Sequence, residues 1–477
     1  MTRKPKKNHP VLNVMAWLFC LFSLLTSCAQ EEKPNFIVFF VDDLGWNDVG
    51  YMGSKYYETP NIDQMAREGM VFTNAYANAP NCAPSRAALL SGQYAPRHGV
   101  YTVGRPDRGN AENRMLIPHP NKTELSGEIV TMAEALKAFG YTNAHIGKWH
   151  LGNRDATRPE AQGFDINIAG NELGHPKSYF SPYKNPDLSD GKDGEYLTDR
   201  LTNEALDFIE DNKDGPFFVY FAHYAVHTPI QAKSEIISKY KDKKPHLGQD
   251  NPSYAAMVES MDQSIGRILQ TLKKLKLDKN TLVLFFSDNG GHGGITNHAP
   301  LKGSKGMLYE GGIREPMIAW WPKKIEPNSK SDEVVIGTDF YPTLVSLAGG
   351  NPKDYPIDGE DLTPLFFQKK NLEREAVYWH FPAYLEGYHG IKQEEALTRG
   401  WRAVPSGAIR KGDWKLIEDF EDGRVQLYNI KEDISENTDL SATHPEKKEE
   451  LWKDLKNWRK RINAPVPTKK NPLYKTK

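Results

Sequence analysis

Asn35-Phe36-Ile37-Val38-Phe39-Phe40-Val41 runs directly into Asp42-Asp43-Leu44-Gly45. A nearly continuous apolar run of β-formers reads as a strand buried on both faces, as in parallel sheets covered by helices. Two adjacent carboxylates at its end are expensive to desolvate unless positive charge meets them; solvated turn aspartates are the plainer alternative. The same pattern recurs three times. A strand at 141–146 releases Gly147-Lys148-Trp149-His150, and Phe217–Ala222 releases His223 and then His227-Thr228-Pro229. A strand at 281–286 releases Ser287-Asp288-Asn289-Gly290-Gly291. Helices are predicted between them at Pro60–Glu68, 131–139, 198–212 and 252–277. The last of these puts Val258, Met261, Ile265, Ile268, Leu272 and Leu275 on one apolar face. Strands alternating with helices predict an α/β fold with a mostly parallel, doubly wound sheet. Ligands bind beyond the carboxyl ends of such strands, so the four polar clusters should share one edge.

Composition narrows the function. A chain of 477 residues with 39% hydrophobic and 11% aromatic content is globular, with room for a second, smaller domain. Lys and Arg number 61 against 62 Asp and Glu, so charge offers no case for nucleic acid. Arg3, Lys4, Lys6 and Lys7 precede an apolar run at 11–25 that is short for a membrane span. That run ends in Leu25-Thr26-Ser27-Cys28, which resembles a bacterial lipobox; a plain signal peptide is the alternative. The expectation is an exported lipoprotein, acylated on Cys28. It is placed at the outer membrane, facing the periplasm or the cell surface, and touches the membrane through its lipid alone. Cys20 lies in the apolar run and Cys28 at the lipid site, which leaves Cys82 without an intramolecular partner. An unpaired cysteine in an exported chain is a candidate for reactivity or modification.

Cys82 opens Cys82-Ala83-Pro84-Ser85-Arg86, followed by the helix formers Ala87, Ala88, Leu89 and Leu90. With Ser85 as N-cap, a helix start and Arg86 would both favour an anion near the thiol; a buried structural cysteine is the plain alternative. Beyond about residue 350 the character changes. Short aromatic strands at Ala376–Phe381, 406–410, 414–418 and 425–428, then a charged helix at 445–462, predict a small antiparallel sheet with a helix on it. The expected division is 1–27 signal peptide, 28–34 tether, 35–365 catalytic domain and 366–477 C-terminal α+β subdomain.

Asp42, Asp43, Asp288 and Asn289 offer only oxygen ligands, which select calcium or magnesium over zinc. Lys148, Arg86 and Lys305 add positive charge, and His150 and His227 add proton transfer. Together they describe a site for a tetrahedral oxyanion ester.

At this point the chain resembles the type I sulfatases of the alkaline-phosphatase-like superfamily. Cys82-Ala83-Pro84-Ser85-Arg86 with Leu90-Ser91-Gly92 is similar to the family signature. Asp42-Asp43-Leu44-Gly45, Gly147-Lys148-Trp149-His150, His227-Thr228-Pro229, Asp288-Asn289-Gly290, Gly303-Ser304-Lys305-Gly306 and Tyr309-Glu310-Gly311-Gly312 follow in order. The resemblance implies that a formylglycine-generating maturase oxidises Cys82 to formylglycine (3-oxoalanine), whose hydrate attacks sulfur. It implies calcium, with magnesium as the lesser choice, held by Asp42, Asp43, Asp288, Asn289 and the modified Cys82. Arg86 would orient the hydrate, Lys148 and Lys305 neutralise sulfate, His150 assist breakdown of the sulfated intermediate, and His227 protonate the leaving oxygen. Lys302 competes with Lys305, which is preferred for its Gly-x-Lys-Gly position.

Phe221 to Gln231 resembles bacterial sulfatases of polysaccharide-degrading systems. The expected substrate is therefore a sulfated oligo- or polysaccharide such as ulvan, a sulfated galactan or a glycosaminoglycan fragment. His175, His380, Arg402 and Arg410 are the candidate sugar contacts. The rival readings are a phosphodiesterase or phosphonate monoester hydrolase with the same nucleophile, and a non-catalytic surface glycan-binding protein.

Overall fold

Eight strands build the large sheet: β1 (Asn35–Val41), β2 (Met70–Tyr76), β3 (Thr142–Gly147), β4 (Ile166–Ile168), β5 (Phe217–Ala222), β6 (Thr281–Ser287), β7 (Met317–Trp320) and β8 (Ser329–Ile336). The computed structural model describes residues 1–2, 32–368, 370–388 and 390–475. The apolar run at 11–25 and Cys28 lie outside these residues. Among the described residues no helix is long and apolar enough to cross a membrane.

The strands lie in the order β4-β3-β5-β1-β6-β7-β2-β8. Every pairing is parallel except those of β7, which runs antiparallel to both β6 and β2. β1 is buried throughout and serves two cores. Ile37, Phe39 and Val41 face one side, packed in the cluster that holds Val258, Met261, Ile265, Ile268 and Leu272 of the helix Pro252–Leu275. Phe36, Val38 and Phe40 face the other, with Leu89 and Leu90 of Cys82–Ser91, Met132 and Leu136 of Met132–Ala138, and Leu344 of Phe340–Leu347. The expected helix-covered, mostly parallel sheet is present.

The strands at 70–76, 166–168, 317–320 and 329–336 enlarge the sheet beyond what the apolar runs indicate. Thr73-Asn74 interrupts the apolar run of β2, and β7 spans only 4 residues. β8 is the sheet edge, where polar side chains face water and only Val335 and Ile336 are buried.

The remaining strands are β9 (Ala376–Phe381), β10 (Leu385–Glu386), β11 (Trp401–Ala403), β12 (Ser406–Lys411), β13 (Trp414–Asp419) and β14 (Val425–Asn429). Four form an antiparallel sheet in the order β14-β13-β12-β9, while β10 pairs with β11 alone. The helix Pro445–Arg461 contributes Leu451, Leu455 and Trp458 to a cluster with Trp379, Ile409, Leu416 and Leu427. A buried ionic knot ties this sheet to the large one. Glu310 accepts from Tyr76 Oη of β2 at 2.7 Å and pairs with Arg314 Nε at 2.7 Å and with Lys415 Nζ of β13 at 2.9 Å. Pro34–Lys477 forms one compact unit.

One local expectation is corrected. The helix begins at Cys82, with Asn81 in the N-cap position at φ −151 and ψ 165, so Ser85 lies within the helix and is not its cap. Pro84 is tolerated there because a first-turn N–H has no intrahelical partner to lose. Gly92 closes the helix at φ 67, a left-handed conformation that glycine adopts without penalty.

Candidate active site

The ends of β1, β3, β5 and β6 meet through backbone hydrogen bonds that continue the strand pairing. Asp288 N donates to Val41 O at 3.0 Å, Asp42 N to Ala225 O at 3.0 Å, and Lys148 N to Ala222 O at 2.7 Å. This register places Asp42-Asp43, Lys148, the turn leading to His227, and Asp288-Asn289 on one edge. Two non-glycine residues there adopt left-handed backbone, Asp43 at φ 59 and His150 at φ 63, a conformation that costs energy and clusters at functional sites. Gly147, just before Lys148, has φ 107, and a Cβ there would meet Ala222 O at 1.9 Å.

Three acids are met by three bases. Lys148 Nζ contacts Asp42 Oδ2 at 2.7 Å, and Lys305 Nζ lies 2.6 and 2.7 Å from the two Asp43 oxygens. Arg86 approaches Asp288 Oδ2 with Nε at 3.0 Å and Nη2 at 2.8 Å, and its Nη1 donates to Lys148 O at 2.9 Å. Lys305 Nζ also lies 3.3 Å from Cys82 Sγ. Lys302, the competitor, instead stacks 4.4 Å from the Tyr309 ring centroid and donates to Glu436 O.

Burial opposes ionisation of the Cys82 thiol, but Lys148 and Lys305 outweigh it and hold the thiol well below its usual range. Burial, then the neighbouring Asp42, pushes Asp288 up to about 6, against the opposing pull of Arg86 and Lys148. The two histidines separate. Burial lowers His150 to about 4, leaving it neutral. Burial also acts against a charged His227, but the Asp43 carboxylate prevails and raises it; its Nε2 lies 3.5 Å from Asp43 Oδ2. Histidines pushed apart in this way are suited to opposite proton-transfer roles.

The donor set fits a cation. One ligand atom each from Asp42, Asp43, Cys82 and His227 converges within 4.8 Å. Asn289 Nδ2 donates to Asp43 Oδ1 at 2.8 Å, which orients its Oδ1. That Asn289 Oδ1 and Asp42 Oδ1 are both buried with no hydrogen-bond partner. An unsatisfied buried oxygen costs about 1–3 kcal/mol, and a bound cation relieves that cost.

A cavity of about 170 Å³ opens over Cys82, lined by Asn81, His150, His175, His227, Lys305, Arg108 and Arg402 among others. His175 stacks on His227 with ring centroids 6.0 Å apart. His175 and Arg402 line this cavity. His380 and Arg410 do not. His380 is buried in the small sheet's core, its Nε2 2.8 Å from Pro465 O and its ring against Tyr101, Phe420 and Trp458. Arg410 is buried beside Tyr76, donating to Asn74 Oδ1 at 3.2 Å. Both lie on strands committed to internal packing. Trp149 is buried in the core, with its Nε1 donating to Thr157 O. Arg108 and Asn81 are additions; Arg108 sits in a loop without periodicity, and only its charge could have flagged it.

The comparisons with known proteins agree. The family model described as Sulfatase matches residues 34–350, and that described as N-sulphoglucosamine sulphohydrolase, C-terminal, matches residues 303–463. A protein of Formosa agariphila named Sulfatase is 34% identical over 94% of this chain and 92% of its own. N-acetylgalactosamine-6-sulfatase of Mus musculus is 35% identical over 74% of this chain and 70% of its own. The crystal structure of Ps i-CgsB in complex with k-i-k-neocarrahexaose is 32% identical, with a TM-score of 0.73, covering 90% of this chain and 93% of that one. The strand-end geometry and these matches converge: the chain belongs to the type I sulfatase family, within the alkaline-phosphatase-like superfamily, and is a sulfuric ester hydrolase.

Proposed function

We propose that the protein releases sulfate from sulfated carbohydrates, such as galactan, ulvan or glycosaminoglycan fragments, with Cys82 acting after oxidation to formylglycine. The observation that carries this is the placement of Cys82 at the floor of a cavity whose lining includes Lys305, His150 and His227 and no carboxylate. The names of the Mus musculus relative and of the neocarrahexaose complex support a saccharide substrate. At about 170 Å³ the cavity is below the range of about 300–1,000 Å³ typical for drug-sized ligands, so it admits the sulfate and the ring bearing it.

Formylglycine hydrate would supply a geminal diol, one oxygen for attack on sulfur and a second hydroxyl whose deprotonation lets sulfate leave. An unmodified thiol lacks that second group. Asp42, Asp43, Asp288 and Asn289 would hold calcium, which offers a hard positive charge to sulfate oxygens. Lys305 and Lys148 neutralise further sulfate charge, and Arg86 fixes Asp288 and the helix start beneath the nucleophile. His227, held toward its charged form, donates a proton to the leaving alcohol. Neutral His150 accepts the proton during breakdown of the sulfated intermediate. We propose also that residues 1–28 direct export and lipid anchoring at the outer membrane.

The test is turnover of sulfated saccharides and of an aryl sulfate against an aryl phosphodiester, with the chain co-expressed with a maturase. Sulfate release should dominate and fall at least about 1,000-fold in Cys82→Ala, as for loss of a nucleophile. Intact mass should show the thiol replaced by an aldehyde. Preference for the diester, or undiminished sulfate release by Cys82→Ala, would overturn the reading.

A further inference from the structure

We propose that Arg108 and Arg402 form a subsite for a second anionic group on the substrate, beside the sulfate that is removed. The proposal rests on the sulfatase reading above and names a class of substrate for it: saccharides carrying a further sulfate or a uronate carboxylate near the scissile ester.

Charge on the cavity wall is the first argument. Beneath Cys82, Lys148, Lys305 and Arg86 are matched one to one by Asp42, Asp43 and Asp288. Arg108 and Arg402 line the same cavity, yet neither guanidinium forms an ion pair among the described residues. The nearby Glu386 is exposed and bridges neither of them. Arg108 Nε is buried without any hydrogen-bond partner. Arg402 spends its Nε on Glu386 O at 2.8 Å, its Nη1 approaches Lys305 O at 3.5 Å, and the Tyr388 side chain lies against it, so no carboxylate among the described residues takes its remaining donors. Burial holds both groups below their usual range despite the attraction of Glu386, and Arg402 is further opposed by Arg108. Two partly desolvated like charges facing one cavity are unfavourable until an anion joins them.

The second argument is construction. The loop carrying Arg108 is clamped by Arg114, whose Nη1 donates to the carbonyls of Asp107, Arg108 and Gly109 at 2.5, 3.1 and 2.7 Å. The loop also pairs with the chain that leads into β10, through Tyr384 N to Pro106 O at 2.8 Å. Gly109 lies on the Trp401 ring, where a Cβ would come within 2.5 Å of it. Arg402 follows Trp401 on β11 and is stacked 4.2 Å from the Tyr388 ring centroid. Two separate segments are therefore locked together with their guanidinium groups directed to one space. Planar guanidinium forks bind sulfate and carboxylate oxygens in pairs, which a lysine does not.

The experiment measures binding to the catalytically silent Cys82→Ala chain by calorimetry. The probes are a monosulfated galactose disaccharide, its disulfated counterpart, and a monosulfated disaccharide of galactosamine and glucuronic acid. At least one doubly anionic probe should bind 10-fold or more tighter than the monosulfated neutral one, and Arg108→Gln and Arg402→Gln should each reduce that ratio. A gain for the disulfated probe alone assigns a second sulfate; a gain for the uronate probe alone assigns a carboxylate. No gain for either, or a gain that survives loss of both arginines, overturns the subsite. Sulfate release by the mature wild type is measured separately, so failure of the sulfatase reading and failure of the subsite are told apart.

Discussion

At the scale of single residues, Arg86 shows how much one side chain holds. It is fully buried, sits 5.2 Å from the Phe40 ring centroid, and binds the Asp288 carboxylate and the Lys148 carbonyl together. Its removal strands a buried carboxylate, a change that costs about 3–5 kcal/mol. Arg86→Ala should therefore lower the urea unfolding midpoint markedly as well as abolish turnover. Arg86→Lys should restore part of the stability, since charge returns without the planar fork. Equal midpoints for wild type and Arg86→Ala would show that Asp288 needs no partner. Residue identity also marks the limit of sequence reasoning. Lys305 was separable from Lys302 by its motif position, whereas Arg108 was not legible, because nothing local distinguishes a cavity-facing loop arginine from a solvated one. His380 and Arg410 failed for the opposite reason: polar side chains on aromatic strands can be consumed by internal packing.

Among elements, the buried strands were the most legible. β1, β5 and β6 are continuous apolar runs, and in a parallel arrangement their polar ends had to meet. β7 was hidden by its brevity and β8 by its exposure, so the antiparallel reversal within the sheet left no periodic trace. The helix Pro252–Leu275 carries Asp262, which serves another helix. Asp262 accepts from Ile62 N at 2.8 Å and from Asn61 N at 3.3 Å, satisfying free donors at the start of Pro60–Glu68. Burial pushes the Asp262 carboxyl up to about 6. A raised carboxyl pKa means the unfolded chain ionises first, so this group's contribution is complete below about pH 4 and lost as pH rises to about 6. The stability of wild type relative to Asp262→Asn should fall across that window by about 2–3 kcal/mol and be flat above it. Chemical denaturation at pH 4, 5, 6 and 7 reads this directly; a constant difference would contradict it.

For the whole molecule, the two sheets share the Glu310 knot and the catalytic edge lies over buried, unsatisfied oxygens. Divalent metal should therefore act as a stabiliser of the entire unit Pro34–Lys477. A ligand at 100 times its Kd adds about 2.7 kcal/mol, so chelation should lower Tm by several degrees and added calcium should restore it. Elemental analysis should find calcium; zinc in its place would contradict the oxygen-ligand argument. The depth of Cys82 has a consequence of timing. At 2% exposure, on the first turn of a buried helix, the thiol sits at the floor of a cavity of about 170 Å³, too small to admit another protein. If Cys82 is converted to formylglycine as proposed, the converting enzyme would have to work on the nascent or unfolded chain, and activity would be decided by a race between oxidation and collapse. A molecule that folded first would then be inert, however perfect its final shape.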